Sequence, residues 1–130
     1  MQESDALRAA YDVRREVLGD AYVDSATADP DPVGRQFQDY ITSMAWGVWA
    51  RGGPLSPRDR SLLVLAMTGA LGRMEEFRTH LGGAHRNGVT DEEIDELLFQ
   101  LAAYCGVPAG VAARRSVKAE RAERMERGDA

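Results

Sequence analysis

Helix start signals recur along this chain, and no stretch alternates apolar and polar residues with the period of two that a half-buried strand needs. Together these features confine the chain to an all-α fold. Asp31-Pro32 sets a capping side chain before a proline at the first helical position. Ser56-Pro57-Arg58-Asp59 repeats the device and adds an acid in the first turn. Thr90-Asp91-Glu92-Glu93 is a capping box, Val107-Pro108 opens a last helix, and Ser4 or Asp5 can cap a first.

In order, these signals mark about six helices. The first runs to Leu18 and stops at Gly19-Asp20. Leu7, Tyr11, Arg14 and Leu18 trace one side of it, with Ala10 and Val17 beside them. Residues 21–31 hold Asp, Ser, Thr and Pro30 without a period and read as a loop. A long helix then carries Phe37, Tyr40, Ile41, Met44, Trp46, Val48 and Trp49 up to Gly52-Gly53-Pro54. The next, through residues 62–67, is apolar on nearly every side, which marks it as the buried central element. After Leu71-Gly72 a helix over 73–87 ends at Gly88, the usual residue for a left-handed cap. Ile94, Leu97, Leu98, Leu101 and Ala102 give an amphipathic helix ending near Tyr104-Cys105-Gly106. The last helix fades into interleaved Arg and Glu over 114–127, which reads as a solvated end held by i,i+3 and i,i+4 pairs. We read one domain over 1–130, with its core at 8–115 and a charged helical tail over 116–130.

Composition serves mainly to exclude. A net charge of −5 gives no electrostatic support for nucleic-acid binding. The longest apolar run is far too short to span a bilayer. Met1-Gln2-Glu3-Ser4-Asp5 is acidic and lacks the apolar region of a signal peptide, so a cytoplasmic location is expected. The single cysteine, Cys105, excludes an internal disulfide and reads as a small buried thiol. Lys118 is the only lysine, so nearly all positive charge is arginine, which grips carboxylates bidentately and suits an anionic small molecule.

The stretch over 73–88 holds the candidate chemistry. Glu76 and His80 are four apart and share a helical face, with Arg73 one turn before Glu76 on the same side. Met74, Phe77, Leu81 and Ala84 recur as the buried face opposite. An acid, a base and a cation thus line a stripe backed by a core. Glu76 and His80 could supply two metal ligands, but His85 lies about 140° around the helix and cannot join them, so no metal is expected. A serine triad lacks its glycine-flanked elbow, and no glycine-rich loop follows a strand, so no nucleotide cofactor is expected. Trp46 and Trp49 suit a core or a subunit interface.

An ordered set of motifs carries a resemblance. Arg14-Arg15-Glu16-Val17-Leu18-Gly19-Asp20, Ala45-Trp46-Gly47, Arg60-Ser61-Leu62-Leu63 and Gly72-Arg73 come first. Glu75-Glu76, His80, Asn87-Gly88-Val89-Thr90, Glu93-Ile94 and Tyr104-Cys105-Gly106-Val107-Pro108 follow in order. The chain resembles the 4-carboxymuconolactone decarboxylases of protocatechuate catabolism across residues 8–115. The resemblance implies an alkylhydroperoxidase-like helical fold and a homo-oligomer, a hexamer favoured, with sites near subunit contacts. It implies a decarboxylase without cofactor, acting on an unsaturated lactone that bears two carboxylates. Such a substrate is its own electron sink, since the electrons left by carbon dioxide delocalise onto the lactone carbonyl. His80 is then expected to donate the proton or bind the oxyanion, with Glu76 orienting it and keeping it protonated. Arg73 and Arg60 are expected to hold carboxylates, and Tyr104 and Trp46 to wall the pocket. The related alkylhydroperoxidases carry Cys-x-x-Cys where this chain has Arg73 and Glu76, and a glutamate where it has Ser61. With neither an attacking nor a resolving sulfur there, a peroxidase reading loses its mechanism. A helical oligomer that only binds a partner is the non-enzyme alternative.

Overall fold

The computed structural model describes residues 3–128, and every regular element among them is an α-helix. They form two compact units, Met1–Pro57 and Arg58–Ala130. The first unit holds α1 (Glu3–Leu18), α2 (Asp20–Thr27), α3 (Pro32–Ala45) and α4 (Gly47–Ala50). The second holds α5 (Pro57–Ala70), α6 (Met74–Arg86), α7 (Asp91–Cys105) and α8 (Val107–Glu126). Eight helices among the described residues replace the expected six or so. No helix among the described residues is long and apolar enough to cross a membrane.

In the first unit α1 packs on α2, α3 and α4 around Ala10, Val17, Leu18, Val23 and Trp46. Residues 21–31, expected as a loop, are mostly α2. The local reason is Gly19, whose φ of 90° turns the chain sharply between the two helices. Val23 then falls fully inside the core, and burial outweighs the weak helix propensity of the Asp, Ser and Thr around it. The long helix expected after Pro32 is interrupted at Trp46, leaving α4 as a single turn. Its start is as read: the Asp31 side chain accepts from the Val33 N–H, with Pro32 at the first position.

In the second unit α6 and α7 both pack on α8, around Leu65, Phe77, Leu81, Ile94, Leu98, Leu101 and Val117. The box at Thr90 forms: its hydroxyl accepts from the Glu93 N–H, and the Glu93 side chain accepts from the Thr90 N–H. α5 departs from the buried central helix expected. Only Ser61, Leu65 and Gly69, four residues apart, are buried, whereas Leu63 and Met67 are 46% and 56% exposed. A sequence apolar all round tells that every face avoids water, and not which faces the rest of the same chain covers.

The tail is corrected as well. α8 runs unbroken to Glu126, and Val117 and Glu120 are buried beyond the expected core limit. Its charges reach other helices as well as each other. Arg124 bonds Asp91 at 2.8 Å and Glu120 at 2.9 Å, while Arg121 pairs with Asp91 and with Asp95 at 2.9 Å. Arg78 of α6 also pairs with Glu123. The tail is therefore a packed strut across α6 and α7. Gly110 makes the α7–α8 approach close, since a Cβ there would lie 2.7 Å from the Cβ of Ala102.

Candidate active site

α6 carries the candidate residues Glu76 and His80 and is fixed at both ends. Before it, Gly72 takes a φ of 73° and the Arg73 N–H donates to the Thr68 carbonyl at 2.8 Å. Arg73 is thus the N-cap residue, outside the helix, exposed and without a capping side-chain bond. It stands at the head of α6, three residues before Glu76. Glu75 and Glu76 in the first turn, and His85 and Arg86 in the last, complement the helix dipole. At the far end the Gly88 N–H donates to His85 and the Val89 N–H to Ala84, at 3.0 and 2.9 Å. With Gly88 at φ 91° and Val89 buried, this is a complete Schellman cap. Asn87 donates to the fully buried Ser61 hydroxyl at 2.9 Å, tying the end of α6 to α5.

Phe77, Leu81 and Ala84 form the buried face as read from the spacing. His80 sits half-buried at its edge and Glu76 is exposed one turn earlier. Burial pushes the His80 imidazole down to about 4; the Glu76 carboxylate pulls the other way and loses. The expectation that Glu76 keeps His80 protonated is therefore corrected: in the unliganded protein the ring is neutral at pH 7. A neutral imidazole offers one N–H donor and one lone pair. It can stabilise a developing oxyanion, and it becomes an acid once an anion beside it restores its proton affinity.

The other expected residues are dispersed. Arg60 is half-buried on α5. Tyr104 is 86% exposed and lines a shallow groove of about 320 Å³ with Met67, Leu97, Gln100 and Cys105, without His80. Trp46 is buried in the core of the first unit, its ring 5.1 Å from that of Trp49 and tilted by 36°. Cys105, expected as a buried thiol, is exposed where α7 ends at Gly106. No three His, Cys, Asp or Glu side chains among the described residues gather to hold a metal ion.

Two polar clusters escaped the sequence reading. His85 lies 3.3 Å from Asp91 and 3.8 Å from Glu120, inside the network that holds α8. In the first unit, the Arg14 side chain is buried between α1 and α3. A signal for it existed, because Arg14 falls on the stripe of Leu7, Tyr11 and Leu18, where an arginine is out of place.

A sequence profile of the carboxymuconolactone decarboxylase family matches residues 35–119. A 4-carboxymuconolactone decarboxylase of Acinetobacter baylyi is 39% identical over 114 residues, spanning 87% of this chain and 84% of that protein. A nitrosuccinic acid decarboxylase of Metarhizium robertsii is 42% identical over 102 residues, spanning 78% and 71%. No solved structure matches with significance. A profile covering well over half the chain, with two decarboxylases among its relatives, decides the family: the chain belongs to the carboxymuconolactone decarboxylase family.

Proposed function

We propose that the chain is a cofactor-independent carboxy-lyase converting 4-carboxymuconolactone to β-ketoadipate enol-lactone and carbon dioxide in protocatechuate catabolism. The observation that carries this reading is His80, a half-buried neutral imidazole that feels the Glu76 carboxylate, on a helix capped at its C-terminus, in a chain of this family. The bond from the ring carbon to its carboxylate breaks, and its electron pair moves through the ring double bond to the lactone carbonyl. His80 donates a hydrogen bond to that oxyanion, a contribution of the kind that usually dominates such reactions. Entry of a dianion beside the ring raises its affinity for a proton, so the same side chain can then deliver one to carbon. Glu76 adds to that rise. Arg73 and Arg60 are the proposed cations for the substrate carboxylates. Tyr104 would become a wall only where a neighbouring subunit covers it.

The relative named for nitrosuccinic acid favours a second substrate. Both acids carry two carboxylates and lose one from a carbon whose electrons an adjoining group can absorb, a lactone carbonyl or a nitro group. Purified protein offered each acid, with carbon dioxide release and loss of ultraviolet absorbance followed, separates them. Faster turnover of the lactone is expected. Preference for nitrosuccinate would move the substrate, and no turnover of either would favour a binding protein. Robust hydroperoxide reduction would restore the peroxidase alternative.

A further inference from the structure

We propose that the groove between α7 and α8 binds an amphiphilic carboxylic acid, its chain along the apolar half and its carboxylate against Arg114, Arg115 and Lys118. The groove holds about 640 Å³, within the range of small-molecule sites, and lies wholly in the second unit. Gly110 packs on Ala102 while Arg121 reaches Asp95 at 2.9 Å, so the two helices run antiparallel away from Gly106. Polarity is therefore sorted along the groove. Next to the turn its lining is Ala102, Val107, Gly110 and Val111, with Phe99 exposed beside them. Beyond Val111 the α8 side becomes cationic, since Arg114, Arg115 and Lys118 follow at intervals that share one helical face.

Those three cations set the groove apart. Arg58, Arg78, Arg121 and Arg124 of the same unit each pair with an acid. Arg114, Arg115 and Lys118 pair with none among the described residues, and Asp95, the acid lining the groove, is held by Arg121. Like charges on adjoining turns repel, and an anion between them relieves the repulsion. Guanidinium groups offer parallel N–H donors to the two oxygens of a carboxylate. From Arg114 back to Val107 the helix spans about 10 Å, so the acid that fills both halves carries an apolar chain of that reach. The compact dianion proposed for the reaction has no such chain, and the groove is a site distinct from the one on α6. Extended polyanions do not suit it, because a net charge of −5 repels nucleic acids and anionic bilayers alike.

Lys118 is the only lysine, so isotope-labelled reductive methylation, which keeps its charge, sets one side-chain reporter at the groove. Its signal is assigned by loss in Lys118→Arg. The full-length protein is titrated with sodium decanoate below its micellar concentration, against sodium butyrate and decyltrimethylammonium chloride at matched ionic strength. Decanoate should move the Lys118 signal saturably, and butyrate should bind about tenfold more weakly or worse for want of the chain. The cationic amphiphile should leave the signal in place. Arg114 and Arg115 are exposed, and replacing both (Arg114→Gln with Arg115→Gln) should weaken decanoate about tenfold or more in protein shown folded by circular dichroism. Undiminished affinity in that variant overturns the site. A wild-type signal that ignores decanoate, moves equally with butyrate or follows the cationic amphiphile overturns it as well. Movement on dilution of the protein alone gives the groove to a second copy, and movement only with phosphatidylglycerol vesicles gives it to a membrane; each overturns the proposal. If the double variant fails to fold, the wild-type titrations decide alone.

Discussion

His80 is informative because its charge is suppressed. The unfolded chain holds its proton near pH 6.5, while the folded protein releases it down to about 4. With the folded value depressed for a base, the unfolded state binds more protons between those limits. His80 therefore contributes stability that is fully present above about pH 6.5 and is lost as pH falls toward 4, at most roughly 3 kcal/mol. Urea unfolding at pH 7.5 and 4.5 should show a smaller fall for His80→Gln than for the wild type. On the proposed mechanism His80→Ala should also lower kcat, by roughly 10²-fold or more. His85→Ala should cost about tenfold or less, since its ring faces Asp91 and Glu120 in the α8 network. Glu76→Gln should fall between them and move the pH–rate profile to lower pH, because the carboxylate it removes raises the imidazole. Steady-state assays of each variant, assembly verified first, check all three. The pairing of Glu76 with His80 was legible from a spacing of four. The charge state was not, because desolvation depends on what covers the ring from outside its own helix.

At the scale of elements, α8 shows where spacing stops informing. Interleaved Arg and Glu describe a solvated helix end and a helix stapled to its neighbours equally well. The distinction lay in Ala113, Val117 and Glu120, a stripe at intervals of four and three that leaves one glutamate facing inward. Removing that glutamate should reveal the staple. Glu120→Ala leaves Arg124 with Asp91 alone and should lower stability by about 2–4 kcal/mol, read as a drop in the urea midpoint at unchanged slope. Gly110→Ala should cost about 1–3 kcal/mol by forcing α8 away from Ala102, and Ala102→Gly should recover part of it. The helices with strong caps were readable because a cap is a local event: Asp31, Thr90 and Gly88 act within a few residues of themselves. α2 was missed because its anchor, Val23, is decided by a core assembled from distant residues.

At the scale of the whole molecule, the described surface leaves a large apolar area in water. Phe37, Tyr40 and Met44 follow one face of α3 and are mostly exposed, and Leu63 and Met67 do the same on α5. Contiguous apolar stripes of this kind are covered in stable proteins by other chains. We propose that a homo-oligomer covers them, the hexamer being what the family resemblance implies, and sedimentation at low micromolar concentration should give no monomer. Phe37→Glu should shift the distribution toward smaller species, whereas a stable, active wild-type monomer would refute assembly as a requirement. Cys105→Ser should keep most activity, as the lone thiol has no resolving partner.

The placement of a few rare residues makes the molecule its own ruler. Both tryptophans, Trp46 and Trp49, belong to the first unit and touch each other, so they emit as a single donor. The only thiol, Cys105, is exposed in the second unit and accepts a maleimide acceptor dye without any engineered cysteine. Energy transfer from the indole pair to that dye reports how the two units are arranged in solution. Labelling a small fraction of chains among an excess of unlabelled ones confines the transfer to single chains. Titrating a dicarboxylic acid into the labelled protein then reveals whether occupancy of one unit is felt by the other.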